Sequence, residues 1–296
     1  MIENFFNWIN DRHEIYLHRV RKMPPPWSND PIFNQYKFTN PFRENDRVTI
    51  WMRDNWTNPN HNKPHGQIIF NCCLFRMIGT TEFANQHGWV DKFNPTYTKE
   101  VIEDRLKNKL RTFTGAYIIT NQGIKKPKSE VVVDSFLTPI WEEQETLAKV
   151  AEETQSLQQL HMAMGNYLGW GGGGFMSYEV VTDLNYTPVL DKAKDRFSWA
   201  NAGPGAKRGL NRIFGRELTK SIKQENANEE MKDLLSKKHT YLKPHVPIKD
   251  VDMRTIEHSL CEFDKYQRIL NKEGTPRSRY NPYLDGLKHI PIGGVQ

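Results

Sequence analysis

The first twenty residues place Phe5, Trp8, Ile9, Ile15 and Tyr16 on one side of a helix, so an amphipathic helix opens the chain. The prolines at 24–26 cannot continue it. A second helix is predicted from Asn40 as N-cap and Pro41 as first residue, with Val48, Trp51, Met52 and Asn55 at helical spacing. QIIFNCCLFRMIG (67–79) is apolar nearly all round, the pattern of a helix buried on every side. Short helices are expected at 81–86 and 98–112. Residues 115–140 differ: GAYIIT and EVVVDSFL are alternating or β-branched, with GIKKPKS between them, which predicts a small extended insertion. From Glu142 the helical period returns through Leu147, Val150, Ala151, Leu157, Leu160 and Met164. It stops at LGWGGGG, resumes in FMSYEVVTDL, and recurs at 206–215, 217–235 and 250–271. The expected class is therefore mainly α with a small β insertion.

Composition narrows this little further. A chain of 296 residues with 37% hydrophobic and 11% aromatic residues can bury a core and is too apolar to be disordered. No run of 18 apolar residues occurs, so no membrane span is expected. The charged, amphipathic start carries no apolar signal core, and three cysteines fit a reducing compartment; a cytoplasmic location follows. Charge is uneven. Residues 1–191 hold 20 basic and 22 acidic groups, net −2; residues 192–296 hold 21 and 13, net +8. The C-terminal third is a candidate polyanion contact, and a solvated basic face explains the same numbers.

The glycine run Gly169-Trp170-Gly171-Gly172-Gly173-Gly174 formally satisfies GxGxxG, but an amphipathic helix precedes it rather than a strand. That leaves helix, glycine hairpin, helix. Gly171, Gly172, Gly173 and Gly174 then offer N–H groups to a DNA phosphate at the start of the next helix. A plain turn between helices is the alternative. Asp191 and Asp195 follow Gly174 by 17 and 21 residues, near the spacing at which helix-hairpin-helix glycosylases carry a carboxylate that stabilises an oxocarbenium-like sugar, and Asp183 ends the helix; Asp195 is the first choice and Asp183 the second. Capping explains such aspartates equally well.

A second glycine loop, Gly203-Pro204-Gly205, leads into a helix carrying Lys207 and Arg208, a further candidate anion site. The stretch from Tyr36 to Arg47 gathers rings, an amide and cations at a helix start. Asn40, Phe42, Arg43, Asp46 and Arg47 are thus candidates for holding a flipped base, with a capped surface helix as the alternative. Glu262 and Lys265 can pair three residues apart on the last helix. No Walker loop, metal-ligand spacing or serine elbow occurs, so no metal and no cofactor is called for.

In this order, FTNPFRENDRVT, TGAYII, GWGGGGFMSYEVVTDLNYT, WANAGPGAKRGLNR and EHSLCEFDKYQR resemble the α-glutamyl/putrescinyl thymine pyrophosphorylase family. That family is also described as the helical domain accompanying hydroxymethyluracil DNA kinases. The resemblance runs over about residues 10–285. It implies a fold similar to helix-hairpin-helix DNA glycosylases and double-stranded DNA carrying modified pyrimidines as the partner, in a bacterial or phage-infected cell. No membrane and no obligate protein partner are implied. Some members are implicated in replacing pyrophosphate on activated hydroxymethyluracil by an amine; others look like anti-phage glycosylases. It carries Asn40, Arg43, Asp46 and Arg47 over to the base pocket. Gly171 to Gly174 match the hairpin, and Asp183 and Asp195 match acidic positions. Gly203, Pro204, Gly205 and Arg208 match the second loop, and Glu262 and Lys265 the C-terminal motif. Pro41 stands where the family pattern has a β-branched residue, and the hairpin carries extra glycines.

The expectation is a single glycosylase-like catalytic unit of two helical lobes, about 1–140 and 141–296, with the active cleft between them. It flips and excises a bulky modified pyrimidine and leaves an abasic site. The alternatives are amine transfer with loss of pyrophosphate, or DNA binding without catalysis.

Overall fold

The computed structural model describes residues 1–276 and 279–284. The chain divides into two compact units: residues 1–47 with 197–296, and residues 48–196. The boundary expected near residue 140 lies inside the second unit. In chain order the first unit opens with α1 (Ile2–Val20) and α2 (Pro31–Gln35). Next come α3 (Arg47–Met52), α4 (His65–Ile78), α5 (Thr81–His87), α6 (Pro95–Lys107), α7 (Lys128–Glu130), α8 (Thr138–Glu142), α9 (Gln144–Thr154), α10 (Leu157–Met164) and α11 (Phe175–Leu184). The first unit closes with α12 (Pro204–Ile213), α13 (Gln224–Ser236), α14 (Lys238–Tyr241) and α15 (Met253–Leu270). Among the described residues the only β-pairing is an isolated bridge between Tyr36 and Arg279.

In the first unit α15 is the central element. Asp252 caps it, accepting from the Thr255 amide at 2.9 Å. Its buried stripe of Ile256, Leu260 and Phe263 receives α1, where Phe5 meets Phe263 edge-on at 5.6 Å. α12 crosses α15 closely because Gly209 has no side chain: a Cβ there would lie 2.5 Å from the Leu260 carbonyl oxygen. Gly205 likewise abuts the Cys261 sulfur.

In the second unit α4 is the central helix, as its all-round apolar sequence predicts. It is packed by α9 and α11 and ends on Gly79, whose φ of 74° is the left-handed cap that glycine adopts without strain. Its two buried polar side chains are satisfied. Asn71 donates to the Val90 carbonyl at 2.9 Å and accepts the Val90 amide at 2.9 Å. Arg76 is taken up below.

Two expectations need correction. EVVVDSFL is helical, not extended: Lys128–Glu130, a π-helical run Val131–Leu137 and Thr138–Glu142 follow one another without a break. Val131, Val132 and Val133 are all fully buried. That run packs on α4 and α6, and such burial overrides the β-propensity of the valines. GAYIIT forms bends without a partner strand. The second correction concerns Asn40. Its side chain does accept the Phe42 amide at 3.0 Å, but only a 3-10 turn, Arg43–Asn45, follows. The α-helix starts at Arg47.

Candidate functional site

In the second unit, α10, the glycine turn and α11 follow in the predicted order. Gly169, Gly172 and Gly174 have φ values of 91°, 66° and 66°, which other residues adopt only with strain. Trp170 is wholly buried beneath the turn and donates its indole N–H to the Phe136 carbonyl at 2.9 Å. Ser177 donates to the Trp170 carbonyl at 2.8 Å and sits 3.0 Å from His161 Nδ1. Burial pushes the His161 imidazole down to about 4. This brace fixes the base of the turn, while Gly172 and Gly173 at its tip are exposed, with nothing within 4 Å of where a Cβ would stand.

Asp183 lies at the other end of α11 and is buried. Arg76 of α4 grips it with two bonds: Nε donates to Oδ2, and Nη2 to Oδ1 at 2.8 Å. Two-point pairing fixes the plane of the carboxylate as one hydrogen bond cannot. The same carboxylate borders a small recess with free room of about 10 Å³, lined also by Thr49, Met52, Arg53, Thr57 and Tyr186. Arg53 stands over the Tyr186 ring at 5.9 Å. The recess thus combines a carboxylate, a cation, a ring and two hydroxyl side chains.

Asp195 is placed differently. It accepts from Ser156 Oγ at 2.7 Å and from the amides of Leu157 and Gln158 at 2.8 and 2.9 Å. These are the first residues of α10, so the carboxylate sits at the positive end of that helix as a cap. Asp191 is exposed.

In the first unit the predicted pairing of Glu262 with Lys265 is present at 2.7 Å. Glu262 is buried and also accepts the Thr39 amide at 2.9 Å, which ties α15 to the segment that carries Asn40. Burial opposes its charge, but Lys265, His258 and these hydrogen bonds hold the carboxyl below the usual range. Lys265 lies over the Phe38 ring at 4.9 Å. Phe42 is buried, Arg43 is half-buried, and Asp46 and Arg47 are exposed at the start of α3. Glu262, Lys265 and the stretch before Asn40 therefore come together.

The second glycine loop is a packing device. Gly205, with Gly209 one turn on, lets α12 approach α15, and the Gly203 amide points at Glu257 Oε1, 3.5 Å away. Arg208 donates to Asp264 at 2.9 Å, Arg212 adds a second bond at 2.8 Å, and Asp264 is fully buried. Lys207 is half-buried on the first turns of α12.

Arg76, Arg53 and Tyr186 were not anticipated. Arg76 left one signal: a single charged residue in an otherwise apolar helix demands a buried partner. Arg53 and Tyr186 left none, because surface arginines and loop tyrosines look the same elsewhere.

A family profile described as "5-hmdU DNA kinase, helical domain" matches residues 1–275. The chain belongs to this family. Within it, the chain is similar to a "5-hmdU DNA kinase" of Bacillus phage SP10, 24% identical over 292 residues, covering 88% of this chain and 44% of the relative. The chain thus spans less than half the length of that curated relative. No solved structure matches it. Among the described residues, no helix of this family member is long and apolar enough to cross a membrane.

Proposed function

We propose that this helical domain acts on a modified thymine-type pyrimidine in DNA and breaks its N-glycosidic bond, with Asp183 as the working carboxylate. The observation that carries this reading is the place of Asp183, the predicted acidic residue that borders a recess and is held in a fixed plane by Arg76. The substrate class follows from the family and from the name of the phage relative. The recess has free room for about one water molecule, about 10 Å³, so a base reaches Asp183 only where the side chains around it move aside.

In this reading the C1′–N1 bond lengthens and the sugar gains positive charge, which the Asp183 carboxylate stabilises. Water adds its oxygen to C1′, its proton goes to the departing base, and an abasic site remains. The exposed glycine tip supplies amides for a phosphate. Within the first unit, Glu262 and Lys265, with the Asn40–Arg47 stretch, remain candidates for DNA contact in their own right, and Lys207 and Arg208 for phosphate. Arg208 does so only beyond its bond to Asp264.

A second reading is amine transfer with departure of pyrophosphate from an activated hydroxymethyl group. The likeness to a kinase and the Arg53 cation at the recess favour it. Mass spectrometry of material released from modified phage DNAs, followed by alkaline scission, separates the two. Free modified base with alkali-labile sites supports glycosidic cleavage. Pyrophosphate release from pyrophosphorylated hydroxymethyluracil DNA on adding an amine, without free base, supports transfer. Asp183→Asn is expected to keep DNA binding and lose at least about 100-fold in turnover, the scale of losing one aligned electrostatic group; full turnover would remove Asp183 from the chemistry.

A further inference from the structure

Resting on the reading that this chain acts on DNA, the geometry points to a second DNA-contacting surface in residues 105–128, where exposed lysines follow the phosphates and Ile118 enters the base stack. Residues 105–129 carry seven basic residues and no acidic one, inside the part of the chain that is otherwise net acidic. Lys107, Lys109, Lys125 and Lys126 are all exposed. Arg111 lies 3.8 Å from Glu82 and Lys126 4.0 Å from Glu130, exposed pairs that contribute little. Such a segment is complementary to a polyanion.

Ile118 is 82% exposed, more than any other large hydrophobic residue among those described. Its exposure is built, not a consequence of slack chain. On either side of it Tyr117 is half-buried and Ile119 is buried. The Tyr117 hydroxyl donates to the Arg76 carbonyl at 2.6 Å, and its ring meets Phe175, the first residue after the glycine turn, at 5.3 Å. The Thr114 amide bonds the Ile78 carbonyl at 2.9 Å, and Thr80 Oγ1 bonds the Thr112 carbonyl at 2.8 Å. Farther on, Asn121 Nδ2 donates to the Lys126 carbonyl at 2.9 Å, closing the turn that presents the lysines. The loop is therefore fastened to α4 and to the start of α11, with one apolar side chain held out into water and cations on both sides. Exposing an isoleucine on a fastened loop has no packing rationale. Insertion of an apolar wedge between bases, beside phosphate-binding cations, gives it one.

The test uses the full chain and a duplex with one 5-hydroxymethyluracil next to 2-aminopurine. Affinity is read against salt, and unstacking by fluorescence. The wild-type chain is expected to bind with a fluorescence rise. Ile118→Ala should keep the salt slope and lose most of the rise, and Ile118→Phe should retain it. Lys125→Ala with Lys126→Ala should reduce the log–log salt slope by about 1.8, two phosphates at about 0.9 each. A full rise in Ile118→Ala, or an unchanged slope in the double variant, overturns this surface while leaving the proposed chemistry standing. Absence of any wild-type binding overturns both. Binding with a rise but no released base supports the surface and counts against glycosidic cleavage.

Discussion

Two aspartates that look alike in the sequence meet different partners. Asp195 takes two amides and a hydroxyl at a helix start; Asp183 takes a guanidinium at the edge of a recess. Spacing from the hairpin could not separate them, because the partners that do so come from elsewhere in the chain: Ser156 for one and Arg76 for the other. Asp195→Ala is therefore expected to lower stability by about 0.5–2 kcal/mol, as loss of a cap does, with turnover per folded molecule retained. Urea unfolding alongside an activity assay reads both. Arg76→Ala leaves a buried carboxylate without its counter-ion and should cost about 3–5 kcal/mol in the same unfolding experiment. A loss below 1 kcal/mol would show that Asp183 finds another partner or water.

At the scale of elements, periodicity served well where one face is buried and failed where all faces are. α1 and α15 alternate apolar and polar residues at helical spacing, and each lies near where that spacing puts it, although α15 begins later; the single run read from Glu142 to Met164 is two helices, α9 and α10, parted at Gln155. Val131, Val132 and Val133 are buried on every side, so the run has no period to read, and β-branching pointed the wrong way. Gly205 was legible as unusual. Backbone approach between helices and approach to a phosphate both call for glycine, and the position of α15 adds the first reason at Gly205 and at Gly209. Gly209→Ala should therefore destabilise by about 1–3 kcal/mol, the cost of forcing atoms into a packed contact. Thermal unfolding checks it, and an unchanged midpoint would mean that α12 shifts at no cost.

For the whole molecule, burial depresses histidines in both units: His87 of the second unit is lowered, and two, His13 in the first unit and His161 in the second, are brought down to about 4. In the unfolded chain each of these two takes a proton near pH 6.5, whereas in the folded protein it does so only near pH 4. Folding stability is thus expected to fall as pH drops from about 6.5 toward 4, at up to about 1.4 kcal/mol per pH unit for each histidine. Glu262, depressed below its usual value, adds a loss lower still, as pH falls through its folded pKa. Unfolding midpoints measured across this range should decline, and His161→Gln should make the decline shallower; a flat profile would contradict the burial of both rings.

The first unit takes one stretch from before the second unit and one from after it. On the ribosome this reverses the usual order of completion. Residues 48–196 are contiguous and can close their core while synthesis continues. The earlier segment must wait, with Phe5, Phe6, Trp8 and Ile9 uncovered, until α15 emerges about 245 residues later. A nascent chain stalled before residue 253 would therefore hold a finished middle and an open beginning, the form that a holdase would grip.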